Sequence, residues 1–526
     1  MTDPAAPRPD EDAAWCRRPP AFAVPETAVR RLDLRVLPAQ SPTGQATLYS
    51  ANRLLMPESP SRGRQLAGGL TDLASKMGMR LAPSASTPGR PEVRKDHRPL
   101  PGLLRQTRVD LAPADGVSAA GDAWTLLQAA REERLPGAES LALSHVLMAA
   151  GLGGVGYVSG VGYVSGVGYV SGVGYVSGVG YVSGVGYVSG VGGGAPGAPA
   201  GRMPVTWPGP RPVAAEGTHR PTVAVLDTGL GEHPWFTDNV TRDPRLHGVP
   251  IGLRFAPEED PERTGITLDP INRTLDPMAG HGTFIAGIIR AACPSAHIIS
   301  VPVMYGDGAV DEADLIAALT ALHERHLLSL AGAIPDPPLD IVNLSMGYYH
   351  EDPDAVIDQV GLAAALTALA ASGVTIVASA GNGASDVEFW PAAMSATEVA
   401  GAAPIVSVGA TNPCASSVSH FSNTGSWVRT YRPGTAVVST MPTTFNAAAQ
   451  AGTLATPGSL PVRGSADIDD FSGGFGTWSG SSFSAPLLAG ELAAALAEQG
   501  PQPTVADRCD RASALVTDLC TGGPQP

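Results

Sequence analysis

Apolar and polar positions divide this chain into two patterned regions joined by a stretch that has neither helical nor useful strand periodicity. From Leu48 to Met148 the period switches repeatedly. TLYSANRLLM alternates as a strand, QLAGGLTDLASKMG reads as an amphipathic helix, MRLAP and LLRQTRVDLAP as strands, AWTLLQAAREE as a helix and SLALSHVLM as a last strand. Just upstream, RRLDLRVL reads as one further strand. The order from Leu48, βαββαβ, is that of a small ferredoxin-like α+β domain. Beyond Thr222 the strands are continuous β-branched runs, as expected when both faces of a sheet are covered. TVAVL, a helix after His281, HIISVPVM, DEADLIAALTALHERH, DIVNLS, AVIDQVGLAAALTALAAS and VTIVASA alternate strand with helix. This rhythm predicts an α/β domain with a parallel sheet between two helical layers, whose ligands bind at the carboxyl ends of the strands.

Between the two regions the hexapeptide GYVSGV repeats six times from Gly156 to Val191. Strand alternation would place Gly156, Val158 and Gly160 on one face, but glycine as one residue in three raises the entropic cost of order and supplies few packing atoms. An elastic tether is therefore expected. No run of about 20 strongly apolar side chains is present, so no membrane-spanning segment is expected. The domain reading is then 1–20 disordered, 21–150 α+β, 151–216 repeat linker, 217–499 α/β and 500–526 tail, with 441–475 a polar, glycine-rich insertion.

Composition refines this picture. The 526 residues are 43% hydrophobic, enough for a large core, while Gly 63 and Pro 49 require much irregular chain. The net charge of −15 is uneven: residues 1–150 carry 19 Lys+Arg against 16 Asp+Glu, and the remainder 15 against 33. Such an acidic main domain has no nucleic-acid footprint. Five scattered cysteines (Cys16, Cys293, Cys414, Cys509, Cys520) fit free thiols, with Cys509 and Cys520 the one pair left open in the tail. The first thirty residues hold no apolar run of signal-peptide length, so a cytoplasmic location is expected, with export by another route as the alternative.

Four polar residues stand where an α/β sheet places chemistry. Asp227 ends the first strand, His281 opens an apolar helix after a glycine turn, Asn382 lies in GNG after VTIVASA, and Ser482 lies in GSSFSAP before another apolar run. Each alone is an ordinary cap or turn residue. Together they are an acid, a base, an amide donor and a nucleophile in a fixed order.

On Asp227-Thr228-Gly229, His281-Gly282-Thr283, the GNG at Asn382, and Gly480, Ser481, Ser482 with Pro486, the chain resembles the subtilisin-like serine peptidases over roughly residues 217–499. The resemblance implies peptide-bond hydrolysis through an acyl-enzyme. Ser482, not Ser481, would be the nucleophile, His281 the general base and then acid, Asp227 the residue that orients the imidazole, and Asn382 the oxyanion donor beside Ser482 N–H. It places substrate as an added strand between Gly308, Ala309, Val310 and Ser345, Met346, Gly347, and makes the N-terminal domain similar to the inhibitory propeptides of this family. The specificity pocket is not marked; Asp386 and Glu388 are candidates for attracting a basic side chain, against the alternative of a solvated loop. The helix after His281 runs directly into AACPSAHIISV without the loop that holds a tight calcium ion in many relatives, so no cofactor is implied. EEDPE and DEAD leave weak calcium binding open, although acid runs are usually only solvated. The expected partners are a protein or peptide substrate and the chain's own N-terminal domain, with no nucleic acid and no membrane. The alternative is a catalytically silent peptide-binding protein on the same fold. The serine-carboxyl peptidases are disfavoured, since they carry Glu where His281 stands and Asp where Asn382 stands. The other ten histidines read as surface or packing residues.

Overall fold

The computed structural model describes residues 24–58, 62–82, 100–117, 121–149, 202–207, 209–355, 360–397, 399–451, 454–455, 461–501 and 504–521. The hexapeptide repeat and the first twenty residues lie outside them.

The N-terminal domain opens with α1 (Glu26–Leu32) and β1 (Leu34–Leu37). RRLDLRVL is thus not one strand: Asp33 turns left-handed (φ 48°) and ends α1, so only its second half is extended. There follow β2 (Thr47–Pro57), α2 (Arg62–Lys76), β3 (Met79–Ala82), β4 (Gln106–Pro113), α3 (Ala123–Glu132) and β5 (Ala142–Ala149), the expected βαββαβ order. The strands lie β5-β2-β4-β3, each antiparallel to its neighbour. Leu54, Leu70, Leu126 and Leu141 are fully buried in the core under the helices, each contributing about 1.5–3 kcal/mol by leaving water.

The α/β domain contains, in order, β6 (Thr222–Asp227), α4 (His281–Ala292), β7 (His297–Pro302), β8 (Ala309–Asp311), α5 (Glu312–Leu330), β9 (Ile341–Leu344), β10 (Met346–Tyr349), α6 (Gly361–Ala371), β11 (Thr375–Ser379), β12 (Ile405–Thr411), β13 (Thr430–Pro433), β14 (Val437–Thr440), β15 (Phe475–Trp478), α7 (Ser481–Gln499) and α8 (Val505–Cys520). Its main sheet runs β13-β12-β11-β9-β6-β7 and ends at Val240–Thr241, with all pairs parallel. Period two explains the two cores. Val223 and Val225 of β6 face the layer of α4, α7 and α8, while Ala224 and Leu226 face α5 and α6. The strand order reverses at β6, so Asp227 at its carboxyl end lies at the crevice where such sheets bind ligands.

Two segments depart from the sequence reading. The expected tail contains α8, whose Leu515, Val516 and Cys520 join the core and whose Arg508 donates to Asp340 Oδ1 at 2.9 Å. Cys509 and Cys520, both free, lie on this one helix. Eleven helical residues separate them by about 16 Å, which no disulfide spans. The expected insertion is anchored at both ends by buried Met441, Phe445 and Phe471, and Met203–Pro204 of the expected linker pairs with Gly476 and Thr477 of β15. Among the described residues no helix is long and apolar enough to cross a membrane.

Candidate active site

Asp227 Oδ1 lies 2.8 Å from His281 Nδ1, and both side chains are buried. The local sequence makes this approach possible. A Cβ on Gly282 would stand 2.2 Å from Gly229 O, so only glycine lets the start of α4 meet the turn after β6 so closely. Gly282 N–H and Thr228 N–H then donate to Thr228 Oγ1 and Asp227 Oδ1, each at 2.8 Å. The imidazole is walled by Trp478 and Phe483, with ring centroids 5.5 and 5.4 Å away, which keeps the Asp227 face dry. His281 Nε2 has no hydrogen-bond partner among the described residues.

Ser482 occupies the first turn of α7, where backbone N–H groups have no intrahelical acceptor. Its hydroxyl donates to Ser345 O at 3.2 Å rather than to His281 Nε2. Ser345 Oγ donates in turn to Ser482 O (2.9 Å) and accepts from Asn343 Nδ2 (3.0 Å), so Ser345, expected at the substrate edge, also braces the serine turn. Asn382 Oδ1 accepts from Ser481 N at 2.9 Å, which turns the amide so that Nδ2 points away from Ser481. Ser481 faces elsewhere: its Oγ accepts from Gly381 N at 3.0 Å.

The two expected substrate edges are both engaged. In an antiparallel ladder, Ala309 and Val310 of β8 stand opposite Met148 and Leu147 of β5, and Met346 and Gly347 of β10 stand opposite Ala149 and Met148. Ala149 N–H also donates to Gly308 O at 2.9 Å. Met148 is therefore flanked on both sides by the strands expected to hold substrate. Behind this ladder the N-terminal sheet rests along α5 and on the amino end of α6. Arg53 pairs with Asp311 (2.9 Å), Arg105 with Glu324 (2.7 Å) and Arg108 with Asp314 (3.2 Å), and Gln106 exchanges two hydrogen bonds with the Gly361 backbone. The DEAD run, expected as a solvated or weakly metal-binding stretch, is thus the docking face of the N-terminal domain. Asp386 is exposed and Glu388 half-buried, the latter with its pKa raised by burial.

Two residues escaped the sequence reading. Glu262 ends the EEDPE run, yet it is buried behind the Asp227 and His281 motifs. Its carboxylate accepts from Thr228 Oγ1, from Thr283 Oγ1 at 2.6 Å and from Gly282 N at 3.2 Å. Burial pushes its pKa up to about 8 against the lowering by the threonine bonds, with Asp260 and Asp227 adding to the rise. Asn423 in FSNTG is wholly buried; its Oδ1 accepts from Gly383 N (2.8 Å) and Ser385 N (3.2 Å), and its Nδ2 donates to Ala380 O (2.9 Å) and Tyr349 Oη (3.0 Å). It holds the loop that carries Asn382. Neither has a local signal: a Glu in an acidic run and an Asn in a turn read as surface residues.

The family model of the Subtilase family (Peptidase_S8) matches residues 218–512, more than half of the chain. The chain belongs to the subtilase family. Subtilisin BL from Lederbergia lenta is 30% identical over 244 residues, covering 45% of this chain and 71% of that protein. Subtilisin Savinase, also from Lederbergia lenta, is 28% identical over the same shares. Among solved structures, fervidolysin from Fervidobacterium pennivorans is 15% identical with a TM-score of 0.46, covering 89% of this chain and 57% of that one. As a subtilase the protein is a hydrolase of the serine endopeptidase type, with protein or peptide as substrate. The family match extends through the first half of α8, whose Cys509 and Ala512 are buried together with Ala403.

Proposed function

We propose that this subtilase hydrolyses peptide bonds through Asp227, His281 and Ser482, and that its N-terminal domain keeps it latent by filling the substrate cleft. The supporting observation is the position of β5, which pairs with both β8 and β10 as an extended substrate would. Turnover begins when Ser482 rotates about χ1 from Ser345 O toward His281 Nε2. The imidazole takes the hydroxyl proton as Ser482 Oγ attacks the scissile carbonyl, and Asp227 stabilises the imidazolium through Nδ1. The tetrahedral oxyanion accepts from Ser482 N–H and from Asn382 Nδ2, and the proton on Nε2 then passes to the leaving amine. Water repeats the sequence on the acyl-enzyme.

A fluorophosphonate probe tests both halves, because only an activated serine reacts. In the intact chain labelling is slow and falls on Ser482; after a protease cut within 151–216 it accelerates at least tenfold. Absence of labelling under both conditions defeats the catalytic assignment. Equal, fast labelling before and after the cut defeats the latency.

A further inference from the structure

His145 sits near the middle of β5 and is buried between two carboxylates that belong to the α/β domain. Its Nδ1 lies 2.9 Å from Glu312 Oε2 and its Nε2 lies 3.0 Å from Glu351 Oε2. His350 Nδ1 lies 3.5 Å from the same Glu351 oxygen, and the three ligand atoms of His145, His350 and Glu351 fall within 4.8 Å of one another. We propose that His145, His350 and Glu351 bind a divalent transition-metal ion, zinc being the best match, that latches the N-terminal domain to the peptidase.

The charge pattern calls for a cation at this point. A neutral imidazole between two carboxylates must turn the lone pair of one nitrogen onto an anion, so His145 needs either a second proton or a metal ion at Nε2. The exchange balances: the divalent ion takes the Nε2 lone pair and one proton leaves to solvent. Two imidazole nitrogens and a carboxylate oxygen are a zinc donor set with one position open. Glu312 completes the arrangement by accepting from His145 Nδ1–H, the outer carboxylate that fixes tautomer and ring orientation in such sites. Glu312 is itself held, since its Oε2 accepts from His145 N–H and its Oε1 from Leu362 N–H. Tyr348 stacks on the His145 ring at 4.7 Å and limits its rotation.

Space and scaffold fit as well. A cavity of about 90 Å³ adjoins the cluster, lined also by Arg131 and Tyr348, and a single water as fourth ligand needs far less. Around a tetrahedral ion the ligand atoms stand about 3.4 Å apart, so the 3.0 Å pair of His145 and Glu351 opens slightly and His350 moves in. His350 supplies that movement by giving up the bond its Nδ1 accepts from Asp352 N–H, or by turning its ring to present Nε2. The chain around it is pinned by the N-terminal domain: Gln45 N–H donates to His350 O (2.9 Å) and Gln40 N–H to Glu351 O (2.8 Å). Gly44 lies against the same carbonyl, where a Cβ would come within 1.8 Å of Glu351 O. One ligand thus comes from the N-terminal domain and two from the peptidase, so ion binding and docking are thermodynamically linked. The consequence for activity, unlike the binding, rests on the latency proposed above.

The test uses the full chain carrying Ser482→Ala, which cannot cut itself, titrated with Co²⁺ at neutral pH. The expected result is a visible d–d spectrum of low coordination number at one ion per chain, release of one proton per ion, and loss of the spectrum when Zn²⁺ is added. His350→Ala, remote from the Asp227–His281–Ser482 centre, should weaken binding at least tenfold while the thermal transition of the ion-free chain stays in place; Glu312→Gln should weaken it by about 10–100-fold. A Co²⁺ spectrum identical to that of the free aqueous ion, or equal affinity in the parent and His350→Ala chains, overturns the site. In the chain with Ser482 intact, Zn²⁺ should slow peptide hydrolysis several-fold and spare His350→Ala. Binding without slowing leaves the metal site standing and overturns the latency instead.

Discussion

Thr283 Oγ1 donates to Glu262 Oε2 at 2.6 Å, and this bond ties the helix that begins at His281 to a buried carboxylate 21 residues upstream. Because Glu262 also holds Thr228, one side chain sets the spacing of the Asp227 and His281 motifs. Its pKa rises from 4.5 to about 8 on burial. A carboxyl with a higher pKa when folded binds more protons in the folded chain between the two values, so its contribution to stability is full below about pH 4.5 and is lost as pH rises through about 8. The thermal midpoint should therefore fall more steeply across this window in the parent than in Glu262→Gln. In the active chain, ionisation of Glu262 places a second anion behind Asp227 and favours the imidazolium. The kcat/KM profile should show an inflection near pH 8 that Glu262→Gln removes; identical profiles would reduce Glu262 to a packing residue.

The adjacent serines separate chemistry from support. Ser482→Ala should abolish peptide hydrolysis with little change in stability. Ser481→Ala leaves the buried Gly381 N–H without its acceptor, which costs about 1–3 kcal/mol of stability, and retains most of the turnover. Because triad members act as a unit, His281→Ala should cost nearly as much as Ser482→Ala and the double change little more. Equal loss of activity in the two single serine variants would overturn this assignment.

Asn423 should act through Asn382. Removing an oxyanion donor of this kind from a subtilisin lowers kcat by about 10²–10³, and Asn382→Ala should fall in that range. Asn423→Ala frees the loop at Gly383 and Ser385 and should lower kcat with KM nearly unchanged. The double variant should cost scarcely more than Asn382→Ala alone; full additivity would assign Asn423 to stability only.

Oxidation provides a separate check. Phe483, not a methionine, follows Ser482 and packs fully buried on Phe284, with ring centroids 4.6 Å apart. No thioether occupies that position to become a polar sulfoxide. Hydrolysis should survive peroxide concentrations that oxidise the exposed thiol of Cys414. Rapid inactivation with Met346 as the oxidised residue would move the sensitive point to the cleft edge.

Charge should govern the closed state. Arg53 is mostly buried and pairs with Asp311, whose side chain is fully buried. Arg53→Ala leaves that carboxylate without its cation and should raise the hydrolysis of a short peptide by the intact chain about tenfold. Higher salt should raise it further, since screening weakens the remaining charged rim. Unchanged activity in Arg53→Ala at low salt would place the docking energy in the β5 ladder rather than in the ion pairs.

Local chemistry determined what the sequence alone could determine. The continuous apolar run 222–227, the helical period after His281 and the Asp-Thr-Gly and His-Gly-Thr turns act over a few residues, and each is written in the order of side chains. The βαββαβ order was legible for the same reason, as was the subtilase resemblance on which the four candidate residues rest. Tertiary structure decided the rest, because it turns on contacts between residues far apart in the chain. Glu262 reads as one more acid in EEDPE until it is folded against Thr228 and Thr283. The DEAD run reads as solvated until Arg53 and Arg108 arrive from 258 and 206 positions away. His145, expected as a surface or packing residue, meets Glu351 across 206 positions. A side chain's charge and hydrogen-bonding capacity are set by its residue type, but whether water or another buried group satisfies them is set only when the α/β domain folds around Glu262 and the sheet of the N-terminal domain closes on α5 and α6.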